Sequence, residues 1–591
     1  MATAGHVDHG KSTLIHALTG MEPDRWEEER RRGLTIDFGF AWTTLPSGRK
    51  VAFVDVPGHQ RFLGNTLAGL GPAPVVCFVV AADEGWRAQS DDHRDAVAAL
   101  GIQYGLIVIT RADRAPQRGA EVLAQARAEL AETGLRGAPG VIVSAVEGSG
   151  LAELRAALDG VLTQVPAPET SARVRLWVDR SFTITGAGTV VTGTLPAGTL
   201  TVGDRLDLFG ASRIRSATIR GLQSCGQPFP LLGPVSRVAL NLRGVPREAV
   251  RRGDALITPG AWPDTRLLDV RRTSGGAWSE APTHLVAHVG TAAVPVRLRP
   301  FDDDHARLTL DRSLPLVFGD RLVLRDPGSV RILGGAEVLD AEPPALRRRG
   351  DSGRRAAMLA RAEPGGDVEA EVARRGAVPE THLRRLGLLP HTVPPQVLVV
   401  DGWWVYRPTH EAWQHRLRAA AEELRARDPL ASGLSRGAAR DLLVLPDEAL
   451  LDGVARAAGL EQDGGTIRLP GTRNELGDAE ASIMELEKKL SAEPFGAPEA
   501  YELQALKLGT RELAAAERAG RVLRLRDGVV LLPNAPALAM RALATLDQPF
   551  TTSQARQALN TTRRVAIPLL EHLDARGWTR RLDAGHREVV R

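Results

Sequence analysis

Residues 5–12 read Gly5-His6-Val7-Asp8-His9-Gly10-Lys11-Ser12, the complete G-x-x-x-x-G-K-[ST] pattern of a phosphate-binding loop. Its two glycines allow the backbone to fold around a polyphosphate, so that successive amides point at the phosphate oxygens. Lys11 places a charge near the β- and γ-phosphates, and the Ser12 hydroxyl can ligate Mg²⁺. A helix that begins near Lys11 directs its positive end at the same place. The loop therefore predicts a site for a nucleoside triphosphate.

Further motifs follow in the order expected of a GTPase. Asp55-Val56-Pro57-Gly58 ends an apolar run, and an Asp there can hold Mg²⁺ through water while the Gly58 amide meets the γ-phosphate. Thr35, in Gly33-Leu34-Thr35, can reach the same ion and order its charged surroundings when the γ-phosphate is present. Asp113 can accept hydrogen bonds from the N1 and N2 protons of guanine, which adenine lacks. The set favours GTP over ATP.

The predicted nucleotide site extends over five short stretches. Its metal ligands are Ser12, Thr35 and, through water, Asp55. The residues predicted to bind GTP or GDP are Gly5, Val7, Asp8, His9, Gly10, Lys11, Ser12, Thr13, Asp55, Pro57, Gly58, Thr110, Arg111, Asp113, Ser144, Ala145 and Val146. Two of them depart from the usual Asn-Lys-x-Asp motif, because Thr110 replaces Asn and Arg111 replaces Lys. An arginine can stack on a purine, so we expect binding to persist with an altered affinity.

His59 is the predicted catalytic residue. It directly follows Gly58, and a histidine at that place can orient the attacking water. The alternative, a surface histidine in a loop, is the better interpretation of His59 taken alone. His6 and His9 are expected to be loop residues rather than metal ligands, since no cysteine or carboxylate completes a metal set.

The sequence pattern changes twice along the 591 residues, which indicates a multidomain α/β + β + α chain. Strand-like runs alternating with helical stretches predict a parallel sheet covered by helices. Short runs broken by glycine then predict β-barrels, and Ala-, Leu- and Arg-rich units of about 60 residues favour winged helices. The predicted domains are a P-loop GTPase domain (1–166), two β-barrels (170–258 and 262–345) and four winged helices (346–408, 409–470, 471–534 and 535–591).

Composition adds weaker constraints. The two cysteines lie far apart, which disfavours a disulfide framework or a zinc site. No apolar run approaches about 18 residues, so we expect a cytoplasmic protein without a membrane segment. The formal net charge is +4, and the last 41 residues alone hold eight arginines against four acids. The C-terminal end is therefore the basic part of the chain.

The loop, Gly33-Leu34-Thr35 and the stretch 55–59 resemble the translational GTPases of the elongation factor Tu group, whose two barrels help to hold an aminoacyl-tRNA. Within that group, the chain is similar to the selenocysteine-specific elongation factors. Thr110, the run Val178-Asp179-Arg180-Ser181-Phe182-Thr183 and the winged-helix extension carry this likeness. The resemblance implies that Asp179, Arg180 and Arg237 line a pocket for the selenocysteinyl group. From residue types alone, an Asp–Arg pair at a barrel rim is the simpler interpretation.

The last unit is predicted to bind RNA. We expect a helix over 552–559, a turn at Asn560-Thr561-Thr562, a second helix and a two-stranded wing. Pro568 favours the first turn of a helix, so the second helix is expected to begin late. The candidate RNA contacts are Arg556, Arg563, Arg564, Arg580 and Arg581. A solvated basic face or a DNA-binding surface are the alternatives, while the resemblance favours an mRNA hairpin.

The resemblance, together with these features, implies a monomeric, ribosome-stimulated GTPase that delivers selenocysteinyl-tRNA where an mRNA hairpin marks a UGA codon. Its partners are then selenocysteinyl-tRNA, that hairpin and the ribosome. The alternatives are a generic elongation- or initiation-type GTPase, a regulatory GTPase of sulfate activation, and a nucleic-acid-binding adaptor whose GTP site has negligible turnover.

Overall fold

The structure is a computed structural model that describes residues 1–23, 35, 37–186, 188–210, 216–329, 331–363, 365–388, 390, 392–428, 430–431, 433–463, 465–471 and 476–590. Gly33 and Leu34 of the predicted switch lie outside these residues. The chain forms two compact units, Met1–Val368 with Glu380–His391, and Glu369–Pro379 with Thr392–Arg591. Within the described residues, no helix is both long and apolar enough to cross a membrane.

The N-terminal part is a six-stranded sheet with the strand order β2-β3-β1-β4-β5-β6. Its strands are β1 (Ala2–Ala4), β2 (Gly39–Thr44), β3 (Lys50–Asp55), β4 (Val75–Ala81), β5 (Tyr104–Thr110) and β6 (Gly140–Ile142). Its helices are α1 (Lys11–Thr19), α2 (Leu63–Leu70), α3 (Ala88–Leu100), α4 (Gly119–Glu129) and α5 (Leu151–Gln164). All pairs are parallel except β2 with β3.

The apolar run of β4 explains why this sheet is covered on both faces. Every residue from Val75 to Ala81 is buried. Phe78 packs into one core cluster and Val79 into another, because successive side chains of a strand point to opposite faces. The carboxyl ends of the parallel strands then bring the phosphate-binding loop, Asp55 and Asp113 to one edge.

Two barrels follow in the same unit. The first contains β7 (Arg175–Ile184), β8 (Gly188–Leu195), β10 (Arg205–Phe209), β11 (Ser216–Ser224), β14 (Ser236–Arg243) and β15 (Ala255–Ile257), and pairing of β10 with β11 closes it. Three short strands lie beside it: β9 (Leu200–Thr201), β12 (Gln227–Phe229) and β13 (Leu231–Leu232). The second closed barrel contains β16 (Thr265–Arg272), β17 (His284–Val289), β18 (Ala292–Pro300), β19 (His305–Leu314), β20 (Arg321–Arg325) and β21 (Ile332–Asp340).

The remaining chain consists of helices with small antiparallel sheets, the pattern of winged helices. The helices are α6 (Asp351–Leu359), α7 (Val368–Arg375), α8 (Glu380–Leu386), α9 (Arg407–Arg427), α10 (Arg436–Leu443), α11 (Ala449–Ala457), α12 (Glu480–Ala492), α13 (Ala500–Ala505), α14 (Thr510–Arg518), α15 (Ala535–Leu543), α16 (Thr552–Ala558) and α17 (Arg563–Ala575). The strands are β22 (Ala377–Pro379), β23 (Val397–Val400), β24 (Trp403–Tyr406), β25 (Leu434–Ser435), β26 (Glu461–Asp463), β27 (Thr466–Arg468), β28 (Leu523–Arg524), β29 (Val530–Leu531), β30 (Phe550–Thr551), β31 (Thr579–Arg581) and β32 (His586–Val589). The predicted α/β, barrel and winged-helix architecture is confirmed.

The expectation of a late start for the last helix is wrong. Helix α17 begins at Arg563, and Pro568 is its buried sixth residue. The amides of Val565 and Ala566 donate to the Thr562 carbonyl, which closes the first turn before the proline is reached. Pro568 therefore lies inside the helix, where it lacks the amide that would donate to the Arg564 carbonyl.

Candidate functional site

Close backbone contacts shape the phosphate-binding loop. Gly5 has φ +129°, and a Cβ at this position would lie 2.1 Å from the carbonyl oxygen of Val79. A Cβ on Gly58 would lie 2.5 Å from the Val7 amide nitrogen and 2.7 Å from Lys11 Nζ. Both positions require glycine, because any side chain would displace the sheet or fill the phosphate cradle.

Lys11 lies inside this cradle. Its ammonium group donates to the carbonyl oxygens of Gly5 at 3.0 Å and His6 at 2.8 Å. The loop is held from behind, since the Gly5 amide donates to His93 Nδ1 at 3.0 Å. Burial lowers the pKa of both His93 and His9 to about 3, so these rings are neutral near pH 7. A neutral His93 keeps its acceptor for the loop.

Three oxygen-bearing side chains meet beside Lys11. The Ser12 hydroxyl donates to Asp55 Oδ2 at 2.6 Å, and its oxygen lies 3.3 Å from Thr35 Oγ1. Thr3 donates to the other carboxylate oxygen of Asp55 at 2.7 Å and fixes its orientation. Burial raises the pKa of Asp55, which a nearby cation would oppose. Hydroxyl and carboxylate oxygens are the donors that Mg²⁺ prefers, so the set fits this ion.

Thr110 and Arg111, the two departures from the usual Asn-Lys-x-Asp motif, connect the stretch 110–113 to the phosphate-binding loop. Thr110 Oγ1 donates to the His9 carbonyl at 2.6 Å. The Arg111 guanidinium donates to the Asp8 carbonyl and forms an ion pair with Glu84 at 2.8 Å. Ser144 Oγ donates to Asp113 at 2.6 Å, which lowers the pKa of Asp113 and keeps its carboxylate charged. Asp113 is thereby prepared to accept hydrogen bonds from a base.

These residues enclose a cavity of about 510 Å³. Of the predicted nucleotide and metal residues, its lining includes Val7, Asp8, Gly10, Lys11, Ser12, Thr13, Thr35, Gly58, Thr110, Arg111, Asp113, Ala145 and Val146. The other predicted residues lie outside this lining: Gly5, His9, Asp55, Pro57 and Ser144. The His9 side chain is fully buried against the Val79 carbonyl. Three residues that belong to no sequence motif also line the cavity: His16, Glu22 and Arg114.

The structure does not bring His59 into the cavity lining. His59 is exposed and precedes the short 3-10 helix Gln60–Phe62, where its Nδ1 accepts a hydrogen bond from the Arg61 amide at 3.1 Å. While Nδ1 accepts, a neutral ring carries its proton on Nε2. Nε2–H is then the hydrogen-bond donor of the His59 ring.

A second pocket, of about 250 Å³, lies between the sheet edge at β2 and β3 and the first barrel. Phe40, Trp42, Arg180, Thr192 and Arg237 are among its lining residues. Asp179 is not in the lining. It is almost fully buried, pairs with the Arg237 guanidinium and accepts a hydrogen bond from Thr192 at 2.5 Å. Of the three residues predicted for this pocket, two line it and Asp179 holds one of them in place.

Both pocket arginines also contact aromatic rings. The Arg237 guanidinium carbon lies 3.7 Å from the centre of the Phe40 ring, and that of Arg180 lies 5.2 Å from it. Arg180 forms an ion pair with Asp37 at 2.9 Å and donates to the Phe38 carbonyl at 2.5 Å. The segment that begins near Thr35 therefore also touches this pocket.

The predicted RNA residues of the last unit differ in their surroundings. Arg563 is exposed, and neither Arg556 nor Arg563 forms an ion pair with another described residue. Arg564 instead donates to the carbonyls of residues 497 and 498 and pairs with Glu499 at 3.1 Å. Arg580 pairs with Glu588, and Arg581 donates to the Asp583 carbonyl within the wing turn. Arg563 is thus the arginine best placed for an external ligand.

Comparison with known families covers all three parts of the chain. The model for the elongation factor Tu GTP binding domain matches residues 1–164. The model for the beta-barrel domain of the selenocysteine-specific elongation factor matches residues 278–345, and that for the winged helix of elongation factor SelB matches residues 541–587. The selenocysteine-specific elongation factor of Escherichia coli (strain K12) is 32% identical over 622 aligned residues, which cover 99% of this chain and 98% of that protein.

The chain belongs to the selenocysteine-specific elongation factor family. A relative from Desulfomicrobium baculatum is 34% identical over 363 residues, which cover 59% of this chain and 56% of that protein. The crystal structure of a bacterial selenocysteine-specific elongation factor, EF-Sec, superposes with a TM-score of 0.75 at 25% identity and covers 100% of this chain and 99% of that one.

Membership in this family makes the chain a GTP- and GDP-binding translational GTPase of selenocysteine incorporation with a winged-helix extension. Thr3, Asp37 and Phe40 also contribute to the two sites, although no sequence motif includes them. Asp37 follows Thr35 by two residues, which is the one signal in the sequence that points toward it. Thr3 and Phe40 acquire their roles only through contacts across the fold.

Proposed function

We propose that the chain delivers selenocysteinyl-tRNA to ribosomes at UGA codons that an mRNA hairpin marks. Arg180 and Arg237 receive the selenocysteinyl group, Asp113 selects guanine, and His59 orients the water that attacks GTP. The last winged helix, 535–591, holds the hairpin. The factor acts as a monomer in the cytoplasm, where its proposed partners are.

One observation carries this proposal: two arginine side chains line a small pocket between the GTPase domain and the first barrel. A selenol ionises well below pH 7, whereas a serine hydroxyl stays neutral. Guanidinium groups in a half-buried pocket therefore stabilise a selenolate far more than a hydroxyl. Asp179 and Phe40 hold Arg237 in a fixed orientation, which preserves this selectivity.

At the nucleotide, Ser12, Thr35 and Asp55 would hold Mg²⁺, with Asp55 acting through water. When bound, the ion neutralises charge that develops on the phosphates. Lys11 and the loop amides bind the phosphate oxygens, and Gly58 leaves room for the γ-phosphate. Thr110 and Arg111 fix the guanine motif against the loop.

The decisive experiment measures how strongly the GTP-bound protein protects the aminoacyl ester of the selenocysteine tRNA, charged with selenocysteine or with serine. Arg180→Ala and Arg237→Ala should each reduce the preference for selenocysteine by about tenfold or more, since each removes a charged hydrogen-bond donor worth roughly 1.5–3 kcal/mol. Arg243→Ala, on the exposed end of the same strand as Arg237, is the control and should keep the preference. Undiminished discrimination in both pocket variants would contradict the assignment.

A further inference from the structure

A third arginine lies next to the pocket arginines. Arg252 precedes β15 and donates to Asn65 Oδ1 at 2.9 Å. Its guanidinium is 3.7 Å from the Asp37 carboxylate, and its central carbon lies 4.9 Å from the centre of the Phe38 ring. Arg252 therefore touches the helix α2 and the segment after Thr35 at once.

The charges around the pocket are unequal. Asp179 pairs with Arg237, and Asp37 is shared between Arg180 at 2.9 Å and Arg252 at 3.7 Å. In the part of the chain that the structure describes, three guanidinium groups thus share two carboxylates. Arginine stays protonated near neutral pH even when it is partly buried. The charges of Asp37 and Asp179 offset those of Arg180 and Arg237. The charge of Arg252 therefore leaves the cluster with one excess positive charge for an entering anion.

We propose that Arg252 is a positioning residue that sets the preference of the pocket for an anionic selenolate over a neutral hydroxyl. It competes with Arg180 for Asp37, so that the Arg180 guanidinium retains donors for the ligand, and it supplies the excess positive charge. This inference rests on the proposed function, because it takes the pocket to be the selenocysteinyl site.

Substitutions of Arg252 and Asp37 should have different effects on the binding of an anion. Arg252→Gln removes the excess charge but keeps an amide donor for Asn65. Asp37→Asn removes a negative charge from the same cluster and leaves the shape of the side chain unchanged. A unit charge roughly 8–10 Å away in a medium of effective dielectric constant about 20 changes the binding of an anion about tenfold. A neutral ligand should hardly respond.

The test uses the full-length protein with GTP and measures dissociation constants for the selenocysteine tRNA charged with selenocysteine or with serine. Arg252→Gln should weaken binding of the selenocysteinyl form about tenfold, Asp37→Asn should leave it equal or tighter, and neither should change binding of the seryl form. Arg252→Lys keeps the charge and should restore most of the preference. Arg251→Gln is the matched control, since this exposed neighbour carries the same charge.

A purely structural role predicts different results. Equal losses for both aminoacyl forms in Arg252→Gln, or weakening of the selenocysteinyl form by Asp37→Asn, would overturn the inference. If the wild type itself shows no preference for selenocysteine, the proposed function fails first. A third outcome is that the wild type shows the preference, Arg180→Ala loses the preference and Arg252→Gln retains it. In that case only the inference about Arg252 fails.

Discussion

Thr110 and Arg111, which depart from the usual Asn-Lys-x-Asp motif, both contact the phosphate-binding loop. The Thr110 hydroxyl reaches the His9 carbonyl, and the Arg111 guanidinium reaches the Asp8 carbonyl. Each side chain thus ties the end of β5 to the phosphate loop. Arg111 is also held by Glu84, which limits how freely it can stack on a base. The predicted change in affinity therefore concerns base stacking more than loop geometry.

His59 should matter for GTP hydrolysis and not for GTP binding. Because it does not line the nucleotide cavity, His59→Ala should leave GTP affinity unchanged. Loss of the Nε2–H group should lower ribosome-stimulated GTP hydrolysis by about 10²–10⁴-fold, the usual contribution of a positioned acid–base group. Equilibrium GTP binding, and single-turnover hydrolysis with and without ribosomes, measure these two quantities, with the exposed neighbour variant Gln60→Ala as control. If ribosomes stimulate neither the wild type nor the variant, the adaptor with negligible turnover is the better description.

Among the secondary-structure elements, helix α17 shows how two adjacent arginines acquire different surroundings. Arg563 and Arg564 are separated by about 100° around the helix axis. Arg563 is exposed, whereas Arg564 contacts the segment between α12 and α13 within the same compact unit. From the sequence alone, both arginines are predicted to contact RNA, because they are adjacent residues of the same type. Only the packing of one winged helix against the preceding one distinguishes them.

This divergence predicts separate effects for the two alanine variants. Arg563→Ala should weaken binding of a hairpin RNA from the UGA region of such an mRNA and reduce the salt slope by about one, with no change in stability. Arg564→Ala should lower the free energy of unfolding of the C-terminal unit by about 1–3 kcal/mol, because it removes charged hydrogen bonds to two carbonyls. Fluorescence anisotropy at several salt concentrations and denaturant unfolding of the full-length protein measure these quantities. Arg541→Ala, exposed on α15, should change neither, and an unchanged affinity in Arg563→Ala would contradict the RNA contact.

For the whole molecule, the predictable features are those carried by contiguous residues. The phosphate loop, the stretch 55–59 and Thr110 to Asp113 were identified because each motif brings its own backbone geometry. The alternation of apolar runs also gave the three-part architecture. Contacts between residues far apart in the sequence could not be predicted. Examples are Arg180 with Asp37, Arg252 with Asn65 and Arg564 with Glu499. These depend on how barrels and helices pack, which no local pattern encodes.

Buried ion pairs hold the junction between the second barrel and the extension. Arg355 of α6 donates to Asp269 at 2.6 Å and to Asp340 at 2.5 Å, and Arg307 also pairs with Asp269 at 2.7 Å. All four residues are at most 7% exposed, so the extension begins as an integral part of the barrel rather than as a linker. Removing one partner from a buried network leaves a charge without compensation and costs about 3–5 kcal/mol.

Arg355→Ala should therefore lower the free energy of unfolding of the N-terminal unit by about that amount and speed proteolysis between residues 344 and 362. Denaturant unfolding and limited proteolysis of the full-length protein measure both effects. Arg354→Ala, on the exposed side of the same helix, loses only a surface ion pair with Asp351 and should cost at most about 1 kcal/mol. Equal stability of the two variants would show that α6 is not anchored by this network.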